Sequence, residues 1–170
     1  YDQLELHLQK AVTLEPDVML YSINLAKAYM AQDKKRAAEI VLSEAIARDE
    51  QNEKTRINAA GFWLSAKEVE KAERLIKEGL SIKPESFDYR LFLGALYAKT
   101  RQLDKSEKIL RQAMDLNPDP AHPDVIKIRM ALAKLLTLMA RLEDAEKLVD
   151  KVIENDPKNV EAHFLKGRFY

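Results

Sequence analysis

The sequence predicts an all-α protein built from stacked helical hairpins, and three observations predict it. Apolar residues make up 46% of the 170-residue chain and charged residues 33%, with only 4 Gly and 6 Pro. This composition has apolar mass for a core and few residues that interrupt helices. Small residues recur at Ala26, Ala60, Gly94, Ala133 and Gly167, in steps of 34, 34, 39 and 34. Large residues at Tyr29, Trp63, Tyr97 and Leu136 follow the first four by three positions, on the same helical face. Self-similarity at such an interval marks a repeat array. The length by itself fits one domain or two small ones, and the repeat favours a single array over residues 1–170.

Taken in order, residues 1–18 supply the second helix of a partial repeat, with Ala11 on its packing face and Pro16 beyond its end. Residues 19–52 form a full repeat, with Leu25, Ala28 and Tyr29 on the first arm and Ala38, Val41, Leu42 and Ala45 on the second. Gln32 and Asp33 make the polar break between the arms. Residues 53–86 repeat the pattern through Ala60, Trp63, Ala72 and Gly79, and Pro84 stands 68 positions after Pro16 with Glu50 in the intermediate slot. Residues 87–125 carry Gly94, Tyr97, Ser106 and Ala113, break at Thr100-Arg101-Gln102 and reach Pro118. Residues 126–159 carry Ala133, Leu136, Ala145 and Val152 and end near Pro157, and residues 160–170 open the first helix of another repeat. No hairpin can bury its apolar face alone, so neighbouring repeats must stack.

The 39-residue step places five extra residues within Asn117–Asp124, whose three prolines cannot continue a helix. An extended or rigid connection is expected there, followed by a longer first helix. It is either a surface insertion, which loops accept cheaply, or a lip of a binding surface.

This pattern resembles the tetratricopeptide repeat. Leu93, Gly94, Tyr97, Leu110, Ala113 and Pro118 match that family's pattern most closely, with Ser106 in an Ala slot. The resemblance covers the whole chain, although Ser22, Arg56, Arg90, Arg129 and His163 stand where the family has Trp. Glu50 also replaces a Pro, and Gly79 and Val152 replace Ala. It implies a right-handed α-α superhelix of about four full repeats with half repeats at the ends. A pentatricopeptide array has a similar period, but its RNA-reading role favours a basic chain.

Lys plus Arg and Asp plus Glu are each 28, a formal charge of zero that argues against nucleic acid or an anionic membrane as partner. Cys is absent, which removes disulfides, thiolate nucleophiles and Cys-ligated zinc. The apolar run Ile128–Leu142 is interrupted by Arg129, Lys134 and Arg141, so no segment of it reaches the roughly 18 residues that span a bilayer. The chain opens and ends in mid-pattern, as an excised piece of a longer protein would. Cytoplasm and periplasm remain open as compartments.

No catalytic constellation emerges. His7, His122 and His163 are far apart, none belongs to His-Glu-x-x-His, and His122 reads as a loop residue. None of the serines sits in a G-x-S-x-G elbow, and the four glycines stand singly rather than in a phosphate-binding loop. Carboxylates such as Glu70, Glu73, Asp104 and Glu107 alternate with Lys and Arg, the pattern of a solvated helix face. Trp63 shares the slot of Tyr29 and Tyr97 and reads as a packing residue. No enzyme, cofactor or metal is expected.

The resemblance assigns groove-facing slots to the first helices. Carried onto this sequence, they include Leu20, Ile23, Lys27 and Met30 in the first full repeat and Lys54, Ile57 and Leu64 in the second. The third supplies Leu91 and Lys99, with Asp88, Ala95 and Ala98, and the fourth Lys127, Met130 and Lys134, with Thr137 and Leu138. Five lysines against one aspartate predict a cationic groove suited to a protein or peptide that combines apolar anchors with acidic residues. The apolar members could equally pack between neighbouring first helices. The family's carboxylate-clamp subtype does not fit, because its slots read Ile23, Lys27, Asn58, Asp88 and Phe92 and only Asn58 agrees. The expected function is a non-catalytic interaction scaffold. Alternatives are an adaptor segment of a larger protein, as in bacterial envelope assembly or polysaccharide secretion, and a self-assembly module stacking through its open ends.

Overall fold

The computed structural model describes residues 2–169, with side chains from residue 3. Ten α-helices and no strand occur among the described residues: α1 (Asp2–Leu14), α2 (Met19–Ala31), α3 (Lys35–Arg48), α4 (Glu53–Ser65), α5 (Val69–Ile82), α6 (Phe87–Lys99), α7 (Leu103–Met114), α8 (Pro123–Leu138), α9 (Leu142–Asn155) and α10 (Val160–Gly167). The chain divides into two compact units, the first ending at Lys83 and the second beginning at Pro84.

In the first unit α2 pairs with α3 and α4 with α5, while α1 packs on α2, and α4 lies against both α2 and α3. In the second, α6 pairs with α7 and α8 with α9, α8 lies against both α6 and α7, and α10 closes on α9. Each unit is therefore a run of antiparallel hairpins packed side by side.

The small residues are where helices meet. Ala26, Ala38, Ala60, Ala72, Ala133 and Ala145 are all completely buried. In the α6–α7 hairpin the same pair is Gly94 and Ser106. A Cβ on Gly94 would lie 2.6 Å from Leu110 Cδ2 and 2.8 Å from its Cγ, so only glycine fits without displacing Leu110. The buried Ser106 hydroxyl donates to the Gly94 carbonyl at 2.7 Å and so does not remain unpaired in the core. Trp63 is 4% exposed, packs edge-on against Phe62 at 5.0 Å and carries Lys71 Nζ 4.6 Å above its ring. It is a core residue.

Three of the five slots where the family has Trp hold arginines, Arg56, Arg90 and Arg129, whose ends meet backbone or carboxylate groups. Arg90 Nη1 donates to the Ser86 carbonyl at 3.1 Å, Arg129 Nη1 donates to the Pro120 carbonyl at 2.7 Å, and Arg56 Nη1 stands 3.8 Å from Glu78. Their aliphatic stems replace part of the missing ring.

All four turns between paired helices share one design. Asp33, Lys67, Arg101 and Ala140 have φ of 59°, 64°, 61° and 60°. Their N–H groups donate to Met30, Leu64, Ala98 and Thr137, and the next N–H in each case reaches Tyr29, Trp63, Tyr97 or Leu136. This paired closure satisfies the last carbonyls of each first helix and turns the chain into the second. No glycine occupies the left-handed position in any of the four turns.

The extra residues fall between α7 and α8. Asn117 Oδ1 accepts from Asp119 N and Asp119 Oδ1 accepts from Ala121 N, both at 2.9 Å, which stiffens the expected connection. Helix α8 has 16 residues where α2, α4 and α6 have 13, and it begins at Pro123, three positions before the Ile126 boundary read from the period. One expectation changes here: Pro123 opens the helix, because at the first helical position its missing N–H costs nothing. His122 caps α8 through Nδ1, 3.3 Å from Asp124 N, and stacks on Phe87 with ring centroids 6.0 Å apart.

Across α7 and α9, Glu107 binds Arg111 at 2.6 Å and Arg141 at 2.8 Å. Burial raises its pKa, but the two guanidiniums outweigh that and hold the carboxyl below its ordinary value of 4.5. A carboxylate depressed in the folded state stabilises the fold above the unfolded pKa, and that contribution disappears as pH falls through the lower folded value. Acid titration monitored by circular dichroism is expected to show stability declining below about pH 4.5, and Glu107→Gln is expected to flatten that decline. Replacing Ala140 with Gly relieves the left-handed strain of a Cβ and is expected to add about 1 kcal/mol, raising Tm by roughly 2–4 °C in thermal denaturation.

Candidate functional site

In the second unit, α6, α8 and the start of α10 enclose an open pocket of about 570 Å³. Leu91, Ala95 and Ala98 of α6 form one wall, and Ile126, Lys127, Met130, Lys134 and Leu138 of α8 form the other. Asn159 and Glu161 stand at the α10 end. Asn159 is held by its own capping role, with Oδ1 accepting from Ala162 N at 3.0 Å and Nδ2 donating to Asp156 at 2.9 Å.

Of the groove residues read from the sequence, Leu91, Ala95, Ala98, Lys127, Met130, Lys134 and Leu138 come together around this pocket, while Lys99 is exposed and outside its lining. In the first unit Leu20, Lys27 and Lys54 are exposed and Ile23, Met30, Ile57 and Leu64 are half-buried on α2 and α4. Met130 is only 3% exposed and packs in a core cluster with Ala133, Val149 and Leu165. It lines the pocket as a fixed wall.

The charge of the site differs from the simple count of lysines. Lys127 Nζ donates to Asp124 at 2.8 Å, and that hydrogen bond, with the attraction of the same carboxylate and a further one from Asp88, raises the lysine pKa. Lys134 Nζ meets Glu161 at 2.5 Å. Two of the three groove lysines in this unit are thus paired before any partner arrives. Among the described residues, no ion pair is made by Lys27, Lys54 or Lys99.

Sequence reasoning missed the reason the pocket exists. Along α6 the two groove slots one turn apart hold Ala95 and Ala98, whereas α2 has Lys27 and Met30 in those slots and α4 has Gly61 and Leu64. Adjacent small groups leave a hollow that larger side chains would fill. The signal was the coincidence of two alanines in one repeat.

Among the described residues no group of three His, Asp or Glu side chains could hold a metal ion, and no helix is long and apolar enough to cross a membrane.

Residues 64–122 match the family model of the tetratricopeptide repeat. That stretch, from the end of α4 to the residue before α8, is a tetratricopeptide-repeat segment. Several solved tetratricopeptide proteins share the fold. A thermophilic one from Thermus thermophilus is 21% identical with a TM-score of 0.68, covering 95% of this chain and 86% of its own. YrrB, described as having an unusual peptide-binding site, is 20% identical with a TM-score of 0.56, covering 96% and 81%. One from Parabacteroides merdae is 20% identical with a TM-score of 0.66, covering 98% and 64%. No curated protein gives a significant sequence match.

The two kinds of groove residue separate by their effect on folding. Met130→Ala is expected to cost about 2–4 kcal/mol in urea denaturation, as for a buried methionine. Leu20→Ala, at a side chain 58% exposed, is expected to shift stability by less than about 0.5 kcal/mol.

Proposed function

We propose that the chain is a non-catalytic scaffold, a single array whose first-helix faces bind a peptide or protein partner. The observation that carries this reading is the open pocket between α6 and α8, lined by Leu91, Lys127, Met130 and Lys134, four of the residues that the repeat register assigns to the groove. Apolar concave sites with a few polar groups at the rim are the usual form of a binding site. The fold is one used for protein–protein interaction, and the peptide-binding site described for YrrB, which shares it, supports a peptide ligand here.

The lysines free of ion pairs, Lys27, Lys54 and Lys99, support acidic residues in the partner, and the half-buried Ile23, Ile57, Leu64 and Leu91 support apolar anchors. Lys27 and Lys54 belong to the first unit and Lys99 to the second, so each unit offers its own contacts.

The test is affinity capture from host extract followed by titration of the purified partner. Wild type is compared with a Lys27→Glu, Lys99→Glu, Lys134→Glu triple variant whose helicity is checked by circular dichroism. Binding weakened about tenfold or more in the variant supports the groove. Equal binding to both proteins overturns it.

A second reading, self-assembly through the terminal helices, rests on exposed apolar groups there. Leu14 on α1 is 80% exposed, and Val160 and Phe164 on α10 are 81% and 69% exposed. Sedimentation velocity distinguishes it, since self-assembly requires a size that rises with concentration and drops on Phe164→Glu.

A further inference from the structure

The third repeat differs from the first two in one respect that bears on what the groove can hold. Ala98 stands where α2 has Met30 and α4 has Leu64, and Ala95 lies one turn before it. The space those larger side chains would occupy is the floor of the 570 Å³ pocket. Its walls are the half-buried Leu91, the fixed Met130, and Leu138, 48% exposed at the mouth.

The rim charges cancel. Lys127 is committed to Asp124 and Lys134 to Glu161, so an acidic ligand would have to displace a carboxylate from each lysine, and a basic one would displace a lysine from each carboxylate. Either exchange replaces one ion pair by another and pays the desolvation of the displaced group, so charge yields little selectivity here. Apolar contact therefore decides what binds.

Resting on the groove reading above, we propose that Ala95 and Ala98 are the specificity-determining residues of an anchor pocket. Its occupant is a near-neutral peptide segment of the partner with clustered bulky apolar side chains. Acidic residues of the same partner are left to lysines that carry no ion pair, such as Lys99. Volume supports a segment over a single group, because the hollow falls within the range of pockets that take ligands of several side chains' size.

Ala98→Met restores the side chain that α2 already carries at this slot, so it fills the pocket with a residue the repeat accommodates. Ala95→Leu, at an exposed position, narrows the mouth without entering the core. Both variants are compared with wild type in two assays. One is selection of a random peptide library on the purified chain, followed by anisotropy titration of the selected peptides as synthetic probes. The other is fluorescence titration with N-phenyl-1-naphthylamine, a neutral apolar dye.

The expected result is peptides rich in Leu, Phe, Met or Trp with net charge near zero. Their affinity, and that of the dye, should drop about tenfold or more in both variants, while thermal denaturation is little changed. Peptides that bind the two variants as well as wild type but lose binding to the lysine-to-glutamate triple variant overturn the anchor pocket and leave the groove reading standing. Peptides insensitive to all three variants overturn both. Selection of strongly acidic peptides, failure to select any peptide, or no dye uptake by wild type also overturns the anchor pocket.

Discussion

The structure depends on close approach of helices at small side chains. Ala26 with Ala38, Ala60 with Ala72, Gly94 with Ser106 and Ala133 with Ala145 occupy the hairpin crossings, and the alanines and the serine are fully buried. Larger groups at those points would hold the helices apart and deprive Leu42, Ile76, Leu110 and Val149, all nearly or wholly buried, of their contacts. The 34-residue period follows from this requirement, because each hairpin must present the same small faces at the same height to pack on its neighbour.

The turns obey a second constraint. Each first helix must release its last carbonyls and reverse within a few residues, which places one residue in the left-handed region. The chain uses Asp33, Lys67, Arg101 and Ala140 there, with φ near 60° in each. Four strained non-glycine residues survive because two backbone hydrogen bonds per turn and the packing of both arms hold the geometry. The five-residue insertion obeys the same logic. It leaves the α8–α9 turn unchanged and lengthens the N-terminal end of α8, where a proline at the first helical position and a histidine cap stop it cleanly.

The proposed binding pocket lies where small residues extend beyond the hairpin crossings. Ala95 and Ala98 both line the pocket on α6, and Ala98 stands where Met30 and Leu64 stand in the first two repeats. Around the hollow, paired charges replace the cationic field that a count of lysines implies. The site combines an apolar recess with a balanced rim, and the unpaired lysines lie elsewhere on the first helices.

The sequence by itself determined the helical class, the hairpin register, the fully buried small residues and the packing role of Trp63, because periodic spacing encodes which side of a helix meets another. It assigned Leu91, Lys127, Met130 and Lys134 to groove slots of two first helices, and these four line one pocket. The prolines marked a break in the helices, but that Pro123 opens α8 depends on where that helix begins, at the His122 cap. Only tertiary structure decided that Met130 is a buried wall, that Lys127 and Lys134 are already paired, and that Ala95 and Ala98 leave a hollow. Burial, ion pairing and empty volume are properties of what lies opposite a residue in space, and a one-dimensional pattern carries no information about that distance.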